Sequence, residues 1–166
     1  VVSRSRNGET VSDHLLAPIR SWLEQPKAER IAFIQSPRWI AYDTALAAHR
    51  MLDDLLTRPP SLRAKGRMLL GPYANGKSMI AERFAITQLR MAKRENRPQR
   101  VWVVQTREGA GLLNFYGGIL AALRAPVTKA RDTAAKAEQL DQLFWQLKPR
   151  VLIFDEFHNC LRGRIL

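Results

Sequence analysis

The chain has 166 residues with 46% apolar content, enough for the core of one α/β domain, and no run of about eighteen apolar residues to span a membrane. Its single cysteine, Cys160, excludes a disulfide framework within the chain and a cysteine-built zinc site, and fits an intracellular, cytoplasmic protein. Net charge is +12, from 27 Lys and Arg against 15 Asp and Glu, and an imbalance of that size points to a polyanionic partner.

Residues 1–11 are polar and without the apolar stretch of a secretion signal, and read as a flexible N-terminus. Residues 12–66 read as a helical N-terminal segment packed on the domain that follows. Ser12 or Asp13 caps a short helix through Trp22 and Leu23. A second helix starts at Pro26 and Lys27 and runs to about Gln35, with Pro37 ending it. Trp39-Ile40-Ala41-Tyr42 is an aromatic and apolar patch in a loop, suited either to packing on the domain or to covering a nucleotide base. Asp43 or Thr44 then caps a longer helix with an apolar stripe from Leu46 to Leu56, stopped by Pro59-Pro60.

Residues 67–166 carry the chemistry. Arg67-Met68-Leu69-Leu70 is a short apolar run of the kind that forms a buried strand. Gly71-Pro72-Tyr73-Ala74-Asn75-Gly76-Lys77-Ser78 follows, fitting the phosphate-loop pattern G-x-x-x-x-G-K-[ST]. From Met79 and Ile80 onward the apolar residues recur at helical spacing. Strand, glycine loop and helix is the context the pattern needs. Gly71 and Gly76 let the backbone turn tightly and aim its N–H groups inward, and the new helix adds its positive end. Lys77 is placed for the β- and γ-phosphates of ATP, and Ser78 for Mg2+. The candidate nucleotide-contacting set therefore runs from Gly71 through Met79. At the end of this helix Arg90, Lys93, Arg94, Arg97 and Arg100 form the densest basic cluster, explained either by the helix dipole or by a nucleic-acid contact.

Val101 to Thr106 reads as a β-branched strand broken at Arg107-Glu108-Gly109. A helix from Leu112 to about Ala125, a basic loop Thr128-Lys129-Ala130-Arg131 and a helix from Thr133 to Leu147 come next. The continuous apolar run Val151-Leu152-Ile153-Phe154 suits a strand buried on both faces, and it ends in Asp155-Glu156. Ligands in open α/β sheets lie beyond the carboxyl ends of strands. Asp155 is therefore placed to hold magnesium and Glu156 to orient or deprotonate an attacking water. The order β-α-β-α-α-β implies a parallel sheet between helical layers. His14, His49 and His158 have no metal-ligand spacing, and His158 reads as a supporting or structural residue near Asp155.

The loop with Asn75 before Gly76-Lys77, the Asp155-Glu156 strand end followed by His158-Asn159, and the upstream Glu29-Arg30-Ile31 with Arg38-Trp39-Ile40-Ala41-Tyr42 resemble the TniB family of transposition ATPases. The likeness covers about residues 12–162. The family is related to the TnsC and MuB regulators within the AAA+ class. The resemblance implies a three-layer α/β/α P-loop ATPase of AAA+ type whose later strands, sensor, arginine finger and lid are missing from this chain. It implies ATP hydrolysis with Mg2+, helical filaments or rings on double-stranded DNA, marking of a target site, and recruitment or activation of a DDE transposase, with a target-selection protein as a further partner. Carried onto this sequence, Gly71, Asn75, Gly76, Lys77 and Ser78 hold phosphates, with Pro72, Tyr73, Ala74 and Met79 beside them. Asp155 and Glu156 handle magnesium and water, with Glu156 and Lys77 catalytic. Ile40 and Tyr42 lie near the adenine. Arg107, Thr128, Lys129 and Arg131 face DNA phosphates. The alternatives are a helicase-loader-like ATPase of the IstB or DnaC type and a nucleotide-gated scaffold that does not turn over.

Overall fold

The computed structural model describes residues 15–36, 38–109, 111–126 and 132–160. The reading of residues 1–11, the proposed caps Ser12 and Asp13, the stop at Pro37 and the basic loop Thr128 to Arg131 lie outside them. The chain divides into two compact units between Ile40 and Ala41.

In the first unit, α1 (Ala17–Arg20) leads into a 3-10 turn (Ser21–Glu24) and then α2 (Lys27–Gln35). A half-buried ring stack joins these elements. Trp22 and Phe33 lie with centroids 3.9 Å apart at 11°, and the Arg38 guanidinium sits 3.4 Å from the Phe33 centroid while donating to the Phe33 carbonyl. Arg38 is thus tied to α2 by stacking and by a hydrogen bond.

The second unit is built on two parallel strands, β1 (Val101–Gln105) and β2 (Val151–Asp155), in register Val101↔Val151 through Gln105↔Asp155. Alternation along the strands sorts their side chains onto two faces. Val101, Val151 and Ile153 meet Leu52 of α3 (Asp43–Thr57) and Phe84 of α4 (Lys77–Arg94). Trp102, Val104, Leu152 and Phe154 meet Ile119, Leu120 and Leu123 around α5 (Leu112–Ala122), and Leu140 of α6 (Thr133–Leu147). Helices therefore cover both faces of the sheet, as parallel strands require. The crossover from β1 to β2 runs through α5 and α6. Asp132 caps α6 by accepting from Ala134 N at 3.1 Å, and Lys148 closes it in a left-handed conformation (φ 47°).

The expected strand at Arg67–Leu70 is not formed. Residues 64–72 run as coil, and Met68 and Leu70 are 72% and 80% exposed. The apolar run gives these residues a tendency to be buried, but a strand also needs a neighbouring backbone. Among the described residues β2 pairs with β1 alone, and no chain offers residues 67–70 a ladder. Among the described residues the parallel sheet thus has two strands where the sequence led us to expect three.

Leu120→Ala removes a buried side chain from between α5 and the sheet and is expected to cost about 2 to 5 kcal/mol, whereas Leu70→Ser should stay within about 0.5 kcal/mol. Urea unfolding of the two variants separates them. A large cost at Leu70 would mean that the run is paired after all.

Candidate functional site

The glycine loop leads directly into the longest helix. Gly76 adopts φ 74°, a left-handed conformation that a side chain would strain, and a Cβ there would also meet the Tyr42 hydroxyl at 3.4 Å. Ala74 is left-handed as well (φ 58°). Helix α4 begins with Ile80 N donating to Gly76 O at 3.0 Å, and no side chain caps its first turn. The early N–H groups of an 18-residue helix therefore converge on the loop with their partial positive charge. Such a cradle fits an anionic oxygen. Lys77 Nζ donates to Gly71 O at 3.0 Å and Pro72 O at 2.7 Å, so the ammonium closes over its own loop. Residues Gly71 to Asn75 are exposed, while Gly76, Lys77 and Ser78 are half-buried and Met79 is exposed. His49 of α3 braces this start of α4, its Nε2 lying 3.1 Å from Ile80 O.

The second part of the site stands at the carboxyl end of the sheet. The ladder continues one step past the strands, with Thr106 N donating to Asp155 O at 3.0 Å. Asp155 Oδ1 accepts from Glu156 N at 3.0 Å, which leaves its other carboxylate oxygen for a further partner. Glu156 has φ 54°, a left-handed backbone that costs a residue with a Cβ about 1 kcal/mol or more. Three contacts hold it there. Asn159 N donates to Glu156 O at 2.9 Å, and Asn159 Nδ2, buried, donates to Thr106 O at 3.1 Å. His158 Nδ1 lies 3.2 Å from Glu156 Oε2. The 3-10 turn Phe157–Cys160 is thus a clamp that aims the glutamate by gripping the end of the neighbouring strand. The Thr106 hydroxyl is buried beside it without a hydrogen-bond partner.

The other expected residues are distributed unevenly. Tyr42 is brought against Gly76. Ile40 falls in the first unit, exposed, and is described there alone. Arg107 is exposed at the same sheet end as Asp155 and lines a small cleft with Thr106, Asn114 and Cys160. Thr128, Lys129 and Arg131 lie outside the described residues. What sequence reasoning missed is Asn159 as the clamp and Thr106 as its anchor. The signal was slight: a polar residue just past the acidic pair, with its partner 53 positions away.

For a nucleotide with Mg2+, the donor set fits. The uncapped helix start and Lys77 offer hydrogen bonds to phosphate, and Ser78 and Asp155 offer hard oxygens. No group of three or more His, Cys, Asp or Glu forms a metal cage among the described residues. Magnesium bound through one or two protein oxygens, phosphate and water needs none.

A family model described as Bacterial TniB protein matches residues 30–166. The chain belongs to the TniB family. TniB membership implies a transposition-associated, ATPase-type regulator, and the α/β architecture with its parallel pair of strands is compatible with part of a P-loop domain. No curated protein and no solved structure matched the chain. No helix among the described residues is long and apolar enough to cross a membrane.

Glycine favours left-handed backbone that alanine resists, so Glu156→Gly should be more stable than Glu156→Ala by about 1 kcal/mol. Equal unfolding midpoints and slopes for the two variants would contradict the clamped geometry.

Proposed function

We propose that this TniB protein is an ATP-binding and ATP-hydrolysing regulator of the AAA+ type, with residues 12–66 as a helical segment preceding an ATPase core that starts at residue 67. On double-stranded DNA it oligomerises as a filament or ring, marks the target site and recruits or activates a transposase, and hydrolysis governs its release. The observation that carries this reading is one chain holding both an uncapped glycine-loop helix start with Lys77 and a strand-end Asp155-Glu156 pair clamped in fixed orientation.

Each residue has a task. Lys77 exchanges its two loop carbonyls for β- and γ-phosphate oxygens, which makes loop opening part of binding. Ser78 and Asp155 hold Mg2+, which neutralises phosphate charge when bound. Glu156 orients the attacking water and accepts its proton, and the His158 and Asn159 contacts keep its carboxylate from wandering. Tyr42, against the loop, borders the nucleotide. Arg107, Thr128, Lys129 and Arg131 contact DNA phosphates without reading sequence. A target-selection protein is the expected further partner.

Calorimetric titration with MgATP should show saturable binding in the parent chain and none in Lys77→Ala. Glu156→Gln should bind ATP at least as tightly while turnover, measured with duplex DNA present, falls by about 100-fold or more. Parent protein without saturable ATP binding would contradict the reading. Co-purification with a replicative helicase instead of a transposase would favour a helicase loader.

A further inference from the structure

We infer that the end of the sheet opposite the nucleotide loop is a second nucleic-acid surface, a basic platform for the phosphates of duplex DNA. This rests on the DNA-binding reading above and extends it to a face at the other end of the sheet from Arg107.

The fold gathers this surface from four separate stretches. Helix α4 carries the chain away from the glycine loop for 18 residues, about 27 Å, and ends at Lys93 and Arg94. Arg97 and Arg100 follow in the short link into β1. Arg150 enters β2 beside Arg100, its backbone N donating to Arg100 O at 2.9 Å, and its guanidinium donates to the carbonyl of Arg58 at the end of α3. Lys65 and Arg67 reach the same region. Asp54 is held below the usual carboxylate range, first by its hydrogen bond to Arg58 and also by the charges of Arg58, Arg67 and Lys65.

Local needs account for only part of this charge. The dipole of α4 is served by Lys93 and Arg94 in its last turn. Asp54 pairs with Arg58 and Glu95 with Arg97. No carboxylate among the described residues pairs with Lys93, Arg94 or Arg100, and the first two and Arg100 are exposed. Arg100 and Arg150 stand next to each other where the chain enters β1 and β2, joined through the backbone, so the fold brings two cationic residues to one end of the sheet. Arginine predominates, and its planar fork matches phosphate oxygens. The link itself, Asn96-Arg97-Pro98-Gln99, has no large aliphatic or aromatic side chain of the kind that inserts into a lipid surface.

The test compares the parent chain with Lys93→Glu/Arg94→Glu/Arg100→Glu and with its neutral counterpart Lys93→Gln/Arg94→Gln/Arg100→Gln. Binding to a 30-base-pair duplex is followed across salt concentrations with MgATP present, alongside vesicles containing phosphatidylserine. The inference predicts unchanged ATP affinity in the neutral variant, whose melting point drops only by the small loss of the α4 dipole contacts, with duplex affinity falling about 10-fold or more. It also predicts a log–log salt slope shallower by about 2.7, the loss of three phosphate contacts. The reversed variant should bind more weakly still. Parent binding to duplex that both variants share, with the same slope, overturns this surface and leaves the DNA reading standing. Parent protein that binds no duplex, or vesicles alone, overturns both.

Discussion

The pairing of β1 with β2, extended by Thr106 N to Asp155 O, is the contact on which the site depends. It fixes where the apolar strand β2 ends and therefore where its two carboxylates emerge. Asn159 then uses the same neighbour in return, donating to Thr106 O and to the Glu156 carbonyl through its side chain and backbone respectively. A two-stranded sheet is a small scaffold. Helices on both faces, with Leu52 and Phe84 on one side and Ile119, Leu120 and Leu140 on the other, give it enough buried surface to hold that register.

The glycine loop is held differently. Its lysine binds the loop's own carbonyls, its helix start is uncapped, and its preceding residues are coil. One half of the candidate site is thus clamped before any ligand arrives, whereas the other half satisfies itself with contacts that a phosphate must replace. On the proposed reading, a held glutamate and a lysine bonded to its own loop suit a switch whose state follows occupancy. The left-handed backbone of Glu156 fits the same division, with strain retained where orientation matters.

Much of this was legible in the sequence. The span of α6 was readable as Thr133 to Leu147, and the spans of β1 and β2 follow from β-branched and apolar runs bounded by polar residues. The glycine loop and acidic strand end were readable because their chemistry is local. Residues 67–70 were misread because apolar character says that a segment prefers burial but not which backbone pairs with it. The clamp was missed because Asn159 and Thr106 lie 53 residues apart and meet only through the strand register. The basic cluster was visible, but Arg58 and Arg150 joined it only when the fold brought the ends of α3, α4, β1 and β2 together.

The central claim is that the loop at Gly71–Ser78 and the pair Asp155-Glu156 serve one bound nucleotide. Amide-resolved NMR of the chain titrated with Mg2+ and a non-hydrolysable ATP analogue tests it most directly. The account predicts saturating shifts at Gly76, Lys77 and Ser78 and at Asp155 and Glu156 with one common affinity, lost together in Lys77→Ala. Shifts at the loop alone, or two unrelated affinities, would contradict it.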